Sequence, residues 1–186
     1  MRKDFGAKAL CYPMPVLIIG TYNADGTPNA MLAAWGGISE EKEISICVDS
    51  RHRTAKNLLE RKAFTVSMGT VDTAIACDYV GLVSAKKDPQ KFAKAGFEAV
   101  PSKFVDAPLI AQLPMALECA LISYDPESCR LVGRIVNVCA EESVLGENGK
   151  VDPQKLQPIT YDPMNHHYLT LGQIVGNAFK DGLQLK

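Results

Sequence analysis

Apolar positions run in short, strand-like stretches through most of the chain. Pro13–Thr21 (PMPVLIIGT) is a β-branched apolar run. The turn residues Asn23-Ala24-Asp25-Gly26 follow, so Pro28–Trp35 is predicted to pair back as the second strand of a hairpin. Glu43–Val48 reads as a third strand, Thr54–Arg61 as a helix, and Phe64–Met68 as a strand again. An alanine-rich stretch within Val71–Gly81 predicts a short helix, and Pro89–Gly96 a second one closed by Gly96. Val100–Leu113 reads as irregular. Ala116–Ser123 and Arg130–Ala140 then form a strand pair about the turn Asp125-Pro126-Glu127-Ser128. Gly146–Pro158 is polar and turn-rich, and Tyr168–Val175 opens the carboxy-terminal segment. The order strand, hairpin, strand, helix, strand predicts a mostly β fold with flanking helices, not repeated βαβ units.

Length and composition narrow this picture. The chain has 186 residues and 47% hydrophobic content, with no internal repeat or shift in composition, and it reads as one domain over 1–186. Lys and Arg total 20 against 21 acidic residues, for a net charge of -1, which argues against a general nucleic-acid binder. No apolar run is long enough to span a bilayer, and the amino terminus lacks the apolar core of a secretory signal, so a cytoplasmic protein is expected. None of the six cysteines forms a C-x-x-C pair. Cys47, Cys119, Cys129 and Cys139 lie in or beside apolar runs, where reduced, buried thiols are expected. Three histidines without a further ligand at metal spacing predict no metal site.

Two stretches carry candidate chemistry. Asn29 to Gly37 has little side-chain bulk before its lone tryptophan, so a flat ligand can approach the backbone and be read by peptide N–H and C=O groups. Asp49-Ser50-Arg51-His52-Arg53-Thr54 sets two guanidiniums and two hydroxyls just before a predicted helix, an arrangement suited to a phosphate. Together they point to a phosphorylated ring cofactor.

The segments PMPVLIIGTYNADGTPNAMLAAWGG, SRHRTAKNLLE, CDYVGLVSAKKDPQKFAKAGFE and LECAL, in that order, resemble the flavin reductase-like family of the flavoredoxin type, from about Pro13 to Ala140. The resemblance implies an FMN-binding split β-barrel, a homodimer, and FMN near the subunit interface. It implies that Asn29, Ala30 and Met31 line the isoalloxazine and that Ala33, Ala34 and Trp35 close that wall. Ser50, Arg51, Arg53 and Thr54 would hold the phosphate and ribityl chain. Cys77, Asp78, Tyr79, Ser84, Lys86 and Lys87 fall in a second block near the cofactor, with Ala85 standing where a glycine is expected.

Simpler readings stand beside these. Trp35 fits an ordinary core position as well as a cofactor wall, and Ser50 or Thr54 a plain helix cap. Cys77 beside Asp78 reads as structural, since a neighbouring carboxylate raises a thiol pKa. Lys86 and Lys87 suit a solvated surface, a phosphate or a pyridine dinucleotide, and His166 and His167 a surface turn. The functional expectation is an FMN-dependent oxidoreductase taking electrons from NAD(P)H or a redox protein. The absence of a G-x-G-x-x-G Rossmann sequence leaves any dinucleotide site shallow. A non-catalytic flavin-binding or sensing module is the alternative, and a barrel for pyridoxal phosphate or haem a third.

Overall fold

The computed structural model describes residues 1–186. Twelve strands carry most of its ordered backbone: β1 (Met14–Pro15), β2 (Leu17–Tyr22), β3 (Pro28–Ala33), β4 (Gly36–Glu40), β5 (Glu43–Cys47), β6 (Ala63–Met68), β7 (Ala99–Pro101), β8 (Pro108–Ile110), β9 (Met115–Asp125), β10 (Arg130–Ala140), β11 (Ile159–Asp162) and β12 (His167–Thr170). Helices α1 (Arg53–Arg61), α2 (Ala74–Leu82), α3 (Lys91–Lys94) and α4 (Pro153–Leu156) flank them. Seven strands form one antiparallel sheet in the order β3-β2-β6-β9-β10-β5-β4. Three more make a small sheet, β1-β11-β12, and β7 pairs with β8.

The apolar run of β2 lacks polar alternation because both its faces are covered. Successive side chains of a strand point to opposite faces. Leu17 and Ile19 enter a core with Ile44, Ile46, Leu58, Phe64, Val66, Leu117 and Leu131. Val16 and Ile18 enter a second cluster with Val80 of α2, Phe92 of α3, Phe97 and Ile110. The large sheet therefore holds α1 against one apolar face and α2 with α3 against the other. The ends of α1 and α2 are thereby fixed beside β3.

Several elements differ from the expectations. β4 was hidden by the Gly36-Gly37 pair, whose turn-like composition masks a strand carrying only Ile38 as a large apolar residue. The Val100–Leu113 stretch contains β7 and β8, and Pro101 faces Pro108 across that pair, where neither has an N–H to contribute. The β11–β12 pair lies in polar sequence, with Tyr161 opposite Tyr168. α3 is a single turn, shorter than Pro89–Gly96, and Gly96 follows it in the left-handed region.

All six cysteines are free thiols. Cys77 and Cys119 are buried, and burial raises both, Cys119 to about 12, which makes them inert hydrophobes. Cys47 departs from the expectation: the last residue of β5 faces outward and is exposed, while Cys129 and Cys139 are half-buried.

Candidate functional site

A cavity of about 160 Å³ opens where β3, the amino end of α1, the carboxyl end of α2 and the start of α3 converge. β3 supplies Asn29 and Met31, the entry to α1 supplies His52, Arg53 and Thr54, and the turn after α2 supplies Ser84 and Ala85. Gly81 lets α2 lie close on β3: a Cβ there would come 3.1 Å from the Leu32 Cβ.

Asn29 is buried, and its Nδ2 donates to the hydroxyls of Thr21 (3.2 Å) and Thr54 (3.0 Å). Asn57 donates to the same Thr21 oxygen at 3.0 Å, which fixes α1 against β2 and β3. The amide is thereby oriented, and its Oδ1 is buried without a partner. An unsatisfied buried acceptor is unfavourable by about 1–3 kcal/mol, so a ligand donor at this point is favoured.

The cationic side of the cavity rests on Lys91, which sequence reading missed. It is only 4% exposed. Its Nζ donates to the carbonyls of Val80 and Val83, both at 2.9 Å, at the negative end of α2. An ammonium has three N–H donors, so one remains for a ligand. No carboxylate is bonded to it, and burial lowers its pKa to about 8. Opposite it, α1 begins at Arg53 with no acidic residue in its first turn, and His52 at the N-cap makes no side-chain hydrogen bond there. The leading backbone N–H groups of a helix lack intrahelical acceptors. A lysine, an arginine and a free helix start around one polar cavity are the chemistry that suits an anion.

Of the residues named from sequence, the structure brings Asn29, Met31, Arg53, Thr54 and Ser84 to this cavity. Ala30 and Ala33 are buried in the two cores on either side of β3. Ala34 and Trp35 line a separate groove with residues 8–11 and 13–15, and Trp35, 58% exposed, is not a core residue. Ser50 is exposed, and Arg51 turns away to Asp49, pairing at 2.7 Å and holding that carboxyl well below its usual range. Cys77 lies on the buried face of α2, in the second core cluster. Asp78 accepts from Tyr168 at 2.7 Å, and Tyr79 donates to Asp88 at 3.4 Å. Lys86 and Lys87 are both exposed, and neither lines the cavity. Ala85 lines it with φ outside the left-handed region, so this turn does not require the glycine. His166 sits in the β11–β12 turn with its Nδ1 2.6 Å from the Tyr161 hydroxyl.

The residues missed here, His52, Gly81 and Lys91, have little local signature. Lys91 lies among Lys86, Lys87 and Lys94, and it is set apart by Phe92 entering the second core beside it and by its bonds to the Val80 and Val83 carbonyls. A larger groove of about 670 Å³ opens over β4, β5 and β10, but its lining is mostly apolar and holds no buried cation.

Residues 9–170 match the model of the flavin reductase like domain. The chain belongs to the flavin reductase-like family. The structure is similar to that of the flavoredoxin of Desulfovibrio vulgaris (Miyazaki F), with 35% identity, 98% of this chain and 100% of that chain covered, and a TM-score of 0.93. It is also similar to the flavoredoxin of Methanosarcina acetivorans, at 26% identity, with both chains fully covered and a TM-score of 0.88. An FMN-binding domain of a flavin reductases-like enzyme from Shewanella baltica OS155 shares the fold at 18% identity and a TM-score of 0.77, covering 88% of this chain and 89% of that one. The curled antiparallel sheet with few helices is thus the split barrel of flavin reductase-like proteins, and membership supports a flavin-related oxidoreductase role.

Proposed function

We propose that the chain is an FMN-dependent oxidoreductase that passes reducing equivalents from NAD(P)H or a redox protein to an acceptor. The observation carrying this reading is Lys91, a buried cation without a carboxylate, facing the open start of α1 across a polar cavity. In this reading Lys91, Arg53 and the first turn of α1 hold the phosphate, while Thr54 and Ser84 serve the phosphate and ribityl hydroxyls. Asn29 Oδ1, the orphaned acceptor, takes a hydrogen bond from the ribityl chain or the ring edge. Met31 lies against the ring, with Ala34 and Trp35 further along that side.

The donor set fits the group. A cavity of about 160 Å³ is smaller than the roughly 300–1,000 Å³ of whole-ligand pockets, so it suits the phosphate end, with the ring along the slim β3–Trp35 side. A second copy would supply the opposite wall, which makes the working unit a homodimer, with residues 1–186 of each chain acting as one domain. FMN supplies the hydride and electron chemistry when bound, and the chain need only bind, orient and shield. No paired carboxylates and no nucleophile–base pair line the cavity. That lining also suits a non-catalytic flavin-binding module, and turnover with an acceptor separates the two. No helix is long and apolar enough to cross a membrane, and we take the site of action to be the cytoplasm.

Anaerobic mixing of the FMN-loaded protein with NADH and NADPH tests the donor. Bleaching of the flavin band with either is expected; no bleaching with both would remove a pyridine nucleotide from the scheme. The two arginines separate as well. Arg53→Ala should raise the FMN Kd about 10-fold, the value of one charge-assisted bond of about 1.5 kcal/mol. Arg51→Ala should leave it within about twofold, because its guanidinium is already held by Asp49 at the surface. Equal losses in a titration of both variants would refute this placement.

A further inference from the structure

The last sixteen residues project from β12 as an arm that its own chain leaves bare. Ile174 is 85% exposed, and Val175 and Phe179 are fully exposed. The arm's one hydrogen bond to the body is a long one, from Gln154 Nε2 to the Gly172 carbonyl at 3.4 Å. The tip is nevertheless shaped. Asp181 accepts from the Asn177 backbone N–H at 2.7 Å, and Phe179 stands in the left-handed region at φ 62°, so this turn presents the aromatic ring outward. A preformed aromatic anchor is what a docking segment needs.

The same chain also carries an empty receptor. The groove of about 670 Å³ has Leu17, Ile44 and Leu117 on its floor and exposed Ile38, Val136 and Val138 on its rim. Contiguous exposed apolar surface of this kind marks an association site.

We infer that the carboxy-terminal arm of one copy docks into the β4–β10 groove of a second copy, with Ile174, Val175 and Phe179 over Ile38, Val136 and Val138. One two-fold operation buries both arms and both grooves together, since an isologous pair uses the same two patches twice. A partner of another kind would need both a groove for the arm and a ridge for the groove. The inference rests on the homodimer of the proposed function and names the segment that makes it.

The test uses the full-length chain in light scattering coupled to size exclusion, with FMN affinity measured separately. The unmodified chain should run at twice 20.2 kDa, and both Ile174→Asp/Phe179→Asp and Val136→Asp/Val138→Asp should run at 20.2 kDa while keeping their circular dichroism. A photoreactive benzophenone side chain at position 175 should cross-link to a peptide holding Val136 to Val138, with heavy and light isotope-labelled chains joined in mixed samples. An arm variant that stays dimeric, or cross-links confined to one chain, would overturn the arm while leaving the dimer. A monomeric unmodified chain would overturn both, and FMN binding would then stand or fall on its own titration.

Discussion

Lys91→Met should weaken FMN binding by about 10- to 150-fold, the range of a charge-assisted hydrogen bond of about 1.5–3 kcal/mol. Methionine keeps an unbranched stem of similar size and removes the ammonium that the cavity offers to an anion. The pH dependence carries a second signature. Burial lowers Lys91 to about 8 from its ordinary 10.5. FMN binding needs the charged form, so affinity should be full near pH 7 and fall as pH rises through 8, with Kd growing up to about tenfold per unit. The variant should lack that slope. The free protein should show the opposite trend from this residue. Between pH 8 and 10.5 the unfolded chain holds more protons here, so stability rises with pH across that window. A fluorescence titration from pH 7 to 9.5 reads the binding slope directly. An unchanged Kd in Lys91→Met with intact circular dichroism would contradict the phosphate placement.

The second large effect lies in the barrel wall. Gly133 sits at a register shift of β10 against β9, and a Cβ built there falls 2.2 Å from Cζ of Phe64. Phe64 is fully buried in the main core, so its ring cannot swing into solvent. Gly133→Ala should therefore destabilise the protein by about 1–3 kcal/mol or more through overpacking. For a chain of this size that lowers the melting temperature by about 2–12 °C. The double variant Gly133→Ala/Phe64→Leu should recover part of the loss, because the smaller side chain vacates the clash. Thermal unfolding followed by circular dichroism checks both, and an unshifted single variant would show that the ring moves freely.

The fold was legible where burial is strong. β2, β3, β5, β6, β9 and β10 all carry β-branched or long apolar side chains at positions the core uses, such as Ile18, Ile46, Val66 and Leu131. What escaped was defined by long-range pairing. β4 depends on its register with β5, β7 on Pro108 facing Pro101, and β11 on Tyr168 opposite Tyr161. None of these pairings leaves a local hydrophobic pattern.

The candidate site divides the same way. Asn29, Arg53, Thr54 and Ser84 sit in compact motifs, and the fold brings them together. Arg51 has the same chemistry as Arg53 two residues away, yet Asp49 captures it. Trp35 could not be assigned from composition, because whether an aromatic at a strand end faces core or solvent depends on what the other sheet covers. Lys91 could not be read at all, since only the packing of α3 under α2 distinguishes it from its surface neighbours.

The most direct measurement compares FMN with riboflavin in calorimetric titrations of the flavin-free protein at pH 7. The two ligands share a ring and a ribityl chain and differ only in the phosphate. If Lys91, Arg53 and the start of α1 form the anion site, FMN should bind one per chain and about 100-fold or more tighter than riboflavin, an advantage lost in Lys91→Met/Arg53→Ala. Equal affinity for the two flavins, or no heat with either, would contradict it.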